Sequence, residues 1–293
     1  MLLKARPKTR RATRDGRPPA IALMGGLGNQ LFQVSAALWL KERLSSPVVL
    51  VPVDRRQARA LHARQDLVDP RTFGLEWSPH AALWSKTVRF WSPNLIDLTT
   101  KAWQLPIEVI SPNGQFIRGY FQTSELLPTI VEGIIPPLRR RFETEVEHEF
   151  VGVHIRLNDY LNRKAADFHG VTDPVWSLEQ GLQLREELNI SKIVVFSDSP
   201  NLASRICEPL KARDVQFDNS ESGWQVLAKM ARSTALVMSN SSLSWWAGCF
   251  TSDRDRTANV VIPTPWLRSQ SELDETLHVP FWDQRPRRLY DVG

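Results

Sequence analysis

The densest group of reactive side chains is His154-Ile-Arg156-Leu-Asn-Asp159-Tyr160, directly after the apolar run Val151-Gly-Val153. A guanidinium beside an imidazole at a strand's end is costly unless an anion offsets it. The planar fork of arginine suits phosphate, because it bonds two oxygens at once. His154 and Arg156 are two residues apart, so a continuous strand turns both to one side. Asp159 stands where it can act as a base or close an internal ion pair with Arg156; both readings stay open.

Two further groups have the chemistry of anion binding. Gly25-Gly26-Leu27-Gly28-Asn29-Gln30 separates the apolar Ile21–Met24 from a helical pattern at Asn29–Arg43. Glycines there let the backbone amides of Gly26, Gly28, Asn29 and Gln30 approach a phosphate, and a helix N-terminus adds a favourable dipole. The alternative is a tight turn with no ligand. The segment lacks the G-x-G-x-x-G spacing of a dinucleotide loop and the Lys-Ser/Thr of a Walker loop. Ser239-Asn240-Ser241-Ser242 precedes a second helical pattern and offers hydroxyls and free amides, as an anion site or as a plain helix cap. Ser197-Asp198 places a carboxylate at another strand end, able to accept from a ribose hydroxyl or a base amino group.

The elements around these groups read as α/β. Strand, glycine turn, helix and strand (Ile21–Met24, Asn29–Arg43, Val48–Val51) form a βαβ unit, which favours a parallel sheet. A second series starts at Phe150. It has strands at Val151–Ile155, Lys192–Phe196, Thr234–Met238 and Asn259–Ile262, and helices at Val175–Leu188, Pro200–Ala212, Gly223–Ala231 and through Trp245-Trp246. Gln115–Phe121 reads as a strand, and Arg139–Glu149 as helix and boundary. Residues 54–110 carry no clear period. The simplest architecture is two doubly wound halves joined near residues 136–149. Ligands in such folds sit outside the carboxyl ends of the strands, where the polar groups above stand.

The chain has 293 residues and a net charge of +5. Residues 1–19 hold seven basic side chains and one acid, a net +6, which leaves the rest of the chain at −1. A nucleic-acid-binding domain would spread basic residues over a folded face. The two cysteines cannot form a disulfide scaffold and suit a reducing compartment. No apolar run approaches the roughly 18 residues of a membrane span, and no apolar core follows the basic start as in a signal peptide. The domain reading is a basic arm at 1–19, an N-terminal α/β domain at 20–140 and a C-terminal α/β domain at 141–293.

Five segments occur in one order: Gly25-Gly-Leu-Gly-Asn-Gln-Leu-Phe-Gln33, Gly119-Tyr-Phe-Gln122, His154-Ile-Arg156 with Asp159-Tyr160, Phe196-Ser-Asp198, and Ser239-Asn-Ser-Ser-Leu-Ser-Trp-Trp246. Together they resemble the α-1,2-fucosyltransferase family, glycosyltransferase family 11, over residues 21 to 282. The resemblance implies a GT-B-type fold of two Rossmann-like halves with the donor site in the C-terminal half. It implies GDP-fucose as donor substrate, a galactose-containing acceptor glycan, an α-1,2 linkage formed with inversion, and no required metal or other cofactor. The chain departs from the family pattern at Leu157-Asn158, where Arg-Gly is usual. It departs again at Val34, where an aromatic residue is usual, and at Leu243, where phenylalanine is.

On this reading the catalytic residues are Arg156, Asp159 and His154, and Glu125 and Asp198 are rivals for the base. The donor is held by Gly26, Gly28, Asn29, Gln30, His154, Arg156, Asp198, Ser239, Asn240, Ser241 and Ser242. Arg156, His154 and the helix start at Ser241-Ser242 supply the positive charge that a metal supplies elsewhere. Asp253-Arg254-Asp255 has the D-x-D form but reads as a solvated loop. The tryptophans from Trp77 to Trp103 are candidates for an acceptor cleft, and Trp245-Trp246 for core. His62, His80, His148, His169 and His278 lack metal-ligand spacing. The expected setting is cytoplasmic, in surface-glycan or O-antigen synthesis, with the arm resting on anionic lipid and no nucleic-acid partner. Two alternatives remain: another GDP-sugar on the same fold, or a non-catalytic glycan- or nucleic-acid-binding protein that uses the arm.

Overall fold

The structure is a computed structural model and describes residues 18–52, 67–78, 95–97, 115–142, 149–210, 214–254, 259–268 and 276–292. The basic arm, apart from its last two residues, lies outside them. So do His62, His80, His148, Trp84, Trp91, Trp103 and Asp255.

Two parallel sheets form the frame. In the first, β1 (Ala20–Leu23), β2 (Val49–Pro52), β3 (Glu76–Trp77), β4 (Leu95–Asp97) and β5 (Phe116–Arg118) lie in the order β3-β2-β1-β5-β4. In the second, β6 (Val151–Ile155), β7 (Ile193–Ser197), β8 (Val215–Phe217), β9 (Ala235–Val237), β10 (Asn259–Thr264) and β11 (Asp283–Pro286) lie in the order β11-β10-β9-β6-β7-β8. Every pairing between these strands is parallel. Numbered from its own first strand, the second sheet runs 3-2-1-4-5-6, the doubly wound order whose direction reverses beside the first strand. The two expected Rossmann-like halves are therefore present. The reversal falls between β6 and β9 in one sheet and between β1 and β5 in the other.

Central strands of a parallel sheet are covered on both faces, so they read as unbroken apolar runs. All five residues of β6 and all four of β1 are buried. Helix α1 (Leu27–Leu44) follows β1. After β5 a helical run ends in α2 (Ile135–Phe142). In the second half come α3 (Arg163–His169), α4 (Pro174–Glu187), α5 (Pro200–Ile206), α6 (Gly223–Met230) and α7 (Ser242–Arg254).

Several boundaries differ from the sequence reading. The helix expected in the region of Pro136-Pro137 and Arg139–Glu149 runs from Ile135 to Phe142. A π-helical turn, Ile130–Ile134, directly precedes Pro136 and Pro137, whose missing amides cannot donate to the preceding turn. The strand expected over Gln115–Phe121 stops at Arg118, because Phe121 adopts a left-handed φ of 52°. The helix expected over Pro200–Ala212 ends at Ile206 and resumes as a 3-10 turn at Glu208–Leu210, where Pro209 interrupts the ladder. Elements not anticipated include β3 and β4 in the stretch without a clear period, α3, the short strand β8, and β11, whose sequence Asp-Gln-Arg-Pro is polar because it forms the sheet's edge.

One apolar cluster runs through both halves. It joins Ile21, Leu31 and Phe32 to Phe142, Trp224, Trp245, Trp246 and Trp282. Phe32 lies with its ring centre 4.7 Å from that of Trp245 and 5.2 Å from that of Trp246. Both tryptophans have no exposed surface, as expected for core rather than for sugar stacking.

Candidate active site

The reversal point of the second sheet collects the reactive groups. Arg156 leaves the end of β6 with its side chain partly open to solvent. Its Nη2 meets Asp159 Oδ1 at 2.7 Å, and its Nε lies 3.2 Å from Asp198 Oδ2 at the end of β7. The guanidinium carbon stands 5.5 Å over the Tyr160 ring. Asp198 Oδ1 accepts the Leu157 amide at 2.8 Å. The other oxygen, Oδ2, is buried and receives no hydrogen bond among the described residues. Burial pushes the Asp198 pKa up, while Arg156 and the Leu157 amide oppose the shift.

His154 and Arg156 reach different partners. Arg156 lies beyond the last strand residue, so strand alternation no longer governs it. His154 turns to β9, where its Nδ1 pairs with Ser239 Oγ at 2.8 Å. It is 2% exposed, and burial, aided by the Arg156 charge, lowers its pKa to about 3. The imidazole is therefore neutral at ordinary pH and cannot be one of the fixed positive charges. That expectation is corrected: His154 joins β6 to β9 and leaves the charge to Arg156.

The glycine segment also divides by role. Gly25 has a φ of +77°, which its position in the turn requires. Gly26 is exposed, and a Cβ there would meet nothing within 4 Å. Gly28 is buried, and a Cβ would stand 2.6 Å from the Leu243 nitrogen and the Ser242 carbonyl carbon. Its carbonyl accepts the Trp246 indole N–H at 2.9 Å. Gly28 thus lets the first turns of α1 and α7 touch. The same contact brings the two reversal points together, with two positive helix ends side by side.

Gln30 and Asn240 were expected to hold the donor, and their side chains are used internally instead. Gln30 is fully buried, donating to Gly25 O at 3.1 Å and accepting from the Val68 amide at 3.0 Å. Asn240 donates to the carbonyls of His169, Gly170 and Trp266 and accepts from Thr172 Oγ1 at 3.1 Å. Ser239 and Ser241 are also buried, while Ser242 remains half-exposed at the start of α7. Asn29 remains part-buried and accepts from Gln122 Nε2 at 2.7 Å. Glu125 is exposed, and no described contact brings it to this cluster.

Sequence reasoning did not single out Gln33, Tyr160 or Arg287 for a role. Gln33 ties the end of β1 to that of β5, accepting from the Met24 amide at 2.8 Å and donating to Gly119 O at 3.1 Å. Tyr160 donates its hydroxyl to Asn240 O at 3.2 Å and stacks on His169, with centroids 4.5 Å apart. Gln33 and Tyr160 stand inside the motifs quoted above, but Gly119 and Asn240, like the partners of Arg287, lie far along the chain, so no local signal gave these contacts. Among the described residues no group of three or more His, Cys, Asp or Glu could hold a metal. Asp253 lies at the far end of α7, about 16 Å along the axis from Ser242 at 1.5 Å per residue.

Comparison with known proteins bears on this arrangement. An α-1,2-colitosyltransferase of Escherichia coli is 28% identical over 123 residues, covering 41% of this chain and 42% of the relative. The matched segment thus spans less than half of that protein. The O-antigen biosynthesis glycosyltransferase WbnK of Escherichia coli is 23% identical over 300 residues, covering 87% of this chain and 97% of the relative. A crystal structure of POFUT1 in complex with GDP-fucose superposes with a TM-score of 0.48 at 11% identity, covering 85% of this chain and 98% of that one. The family model described as glycosyl transferase family 11 matches residues 112–283, from just before β5 to the start of β11 and across every strand-end group of the second sheet. The chain belongs to glycosyl transferase family 11.

Proposed function

We propose that this glycosyltransferase moves L-fucose from GDP-β-L-fucose to a galactoside hydroxyl, forming an α-1,2 linkage with inversion and without a metal. The observation that carries the reading is the meeting of three features at the sheet's reversal point: the Arg156 guanidinium, the Asp198 carboxylate whose buried Oδ2 faces it, and two adjoining helix starts. The diphosphate meets Arg156 and the amides at the start of α7, and Asp198 accepts from the nucleoside. As the bond between the sugar's anomeric carbon and the diphosphate oxygen breaks, its electrons pass to GDP, and the fixed positive groups stabilise that charge. The acceptor oxygen attacks the opposite face. Asp159 takes its proton, and it becomes available when the diphosphate replaces it as the partner of Arg156.

On this reading residues 141–293 form the donor side and 20–140 the acceptor side. The product is a bacterial-type surface glycan or O-antigen, made at the cytoplasmic face, where the basic arm rests on anionic lipid. Incubation with GDP-fucose and a panel of β-galactosides, followed by linkage analysis, tests it. A 2-linked fucoside supports the reading, and absence of transfer to every galactoside overturns it. A second reading, another GDP-deoxysugar as donor, is favoured by the colitosyltransferase relative and by Leu157-Asn158. Leu157 has no exposed surface and gives the crevice only its amide, so its side chain adds no charge beside the donor. Thermal shift with GDP-fucose, GDP-colitose and GDP-mannose separates the two readings.

A further inference from the structure

Beyond β11 the chain folds back as a strap over the turn that follows α3. Backbone bonds fasten it. The Arg287 amide donates to Thr264 O, the Tyr290 amide to Val171 O, and the Asp173 amide to Arg288 O, each at 2.9 Å. Thr172 and Leu289 add an antiparallel bridge. On the solvent side Arg288 pairs with Asp173 and Glu179. The Arg287 side chain is not needed for this attachment, yet it is sunk to 8% exposure. A guanidinium buried at that depth must be matched by well-placed acceptors, or its desolvation costs more than it returns.

The acceptors are specific. Arg287 Nη1 donates to Gly170 O at 2.9 Å and to Thr172 Oγ1 at 3.1 Å, and Nη2 donates to His169 O at 2.7 Å. These are the groups that also meet Asn240. Its Nδ2 lies 3.0 Å from each of the same two carbonyls, and its Oδ1 accepts from the same hydroxyl at 3.1 Å. A carbonyl that accepts twice is fixed from two sides, so Arg287 and Asn240 are set against each other. From Asn240 the contacts continue through the Tyr160 hydroxyl, held at 3.2 Å, to the Tyr160 ring under Arg156.

We propose that Arg287 is a positioning residue for the anion-binding crevice: its fork fixes Asn240 and Tyr160, and through Tyr160 it fixes Arg156. The inference rests on the reading of Arg156 as the group that meets the donor diphosphate. Arg287 itself touches no reacting atom, and it lies past residue 283, where the family match ends. Lysine cannot take its place, because a single ammonium on a flexible stem does not span two carbonyls in a fixed plane.

The test compares Arg287→Lys, Arg287→Met and Arg288→Met in the full chain, the last altering the same strap away from the crevice. The readouts are kcat and KM for GDP-fucose with a soluble galactoside, GDP affinity by calorimetry, and the thermal midpoint. A displacement of about 1 Å is enough to cost on the order of a hundredfold. Both Arg287 variants are expected to lose roughly that in kcat/KM and about tenfold in GDP affinity, while Arg288→Met stays within about twofold on both. Near-wild-type kinetics in Arg287→Lys overturn the proposal. So does a loss shared by the Arg287 and Arg288 variants in proportion to their midpoints, which marks a fastening role alone. If Arg287→Met does not fold, the Lys variant decides. A wild-type chain that binds GDP but transfers no fucose overturns the donor reading, and Arg287 is then judged on GDP affinity. A wild-type chain that binds no GDP overturns both.

Discussion

Arg156 sits between two carboxylates at the end of a buried strand, and the proposed function gives it the donor diphosphate as a third partner. Its loss removes the main fixed positive charge from the crevice. Arg156→Ala is expected to lower kcat by more than a hundredfold, about 3 kcal/mol or more of transition-state stabilisation, with little change in thermal midpoint. A radiochemical transfer assay that still detects near-normal turnover refutes the role. His154 yields a prediction about stability. Its pKa falls from 6.5 to about 3 on folding, so the unfolded chain binds more protons between those values. Stability is therefore full above pH 6.5 and declines as the pH falls below it. Between pH 7 and pH 5 the decline from this residue is about 2 kcal/mol. Urea unfolding at both pH values should show it, and His154→Gln should abolish that part of the difference. At this scale the ion pair of Arg156 with Asp159, one of the two readings the motif left open, was legible because it is local to one short segment. The side-chain partners of Asn240 were not legible, because residues 169–172 and 266 are brought to it by the fold, and a Ser-Asn-Ser run looks the same whether it binds a ligand or holds a turn.

Among the elements, β6, β7, β9 and β10 could be read directly, because strands buried on both faces leave continuous runs of Val, Ile and Leu. The edge strand β11 could not, since an exposed edge is favoured by polar residues and proline. The start of α1 shows the same division. A glycine run before a helix was visible, but which glycine serves a turn and which serves a contact depends on α7, more than 200 residues away. Gly28→Ala forces a methyl group against the backbone of Ser242 and Leu243, so the two helices must part. The expected cost is about 1–3 kcal/mol, with weakened donor binding because the two helix starts separate. Gly26→Ala meets open space and should fall within about 0.5 kcal/mol of the parent. Thermal unfolding of the pair checks both, and equal midpoints would show that α1 and α7 are not pressed together there.

For the molecule as a whole, the net charge of +5 belongs to the arm, and the remainder is close to neutral. Among the described residues no helix is long and apolar enough to cross a membrane. Removal of residues 1–19 is therefore expected to leave transfer to a soluble galactoside unchanged. It should abolish salt-sensitive sedimentation with phosphatidylserine vesicles, at roughly 1 kcal/mol per basic residue near the surface. Loss of soluble-acceptor activity on deletion would instead tie the arm to the reaction. The architecture of two halves was legible because βα alternation repeats along the chain. Their joint was not, because it consists of side chains from both halves packed on each other. Phe32 against Trp245 and Trp246 has a consequence for motion. Swinging the halves apart about a hinge would bare these rings, each burying roughly 150–250 Å² at about 25 cal/mol per Å². Opening costs on the order of 10 kcal/mol, so fewer than one molecule in a million stands open at any moment. Substrate entry and product release must then proceed through a crevice whose walls keep their distance, with every adjustment made by loops and side chains.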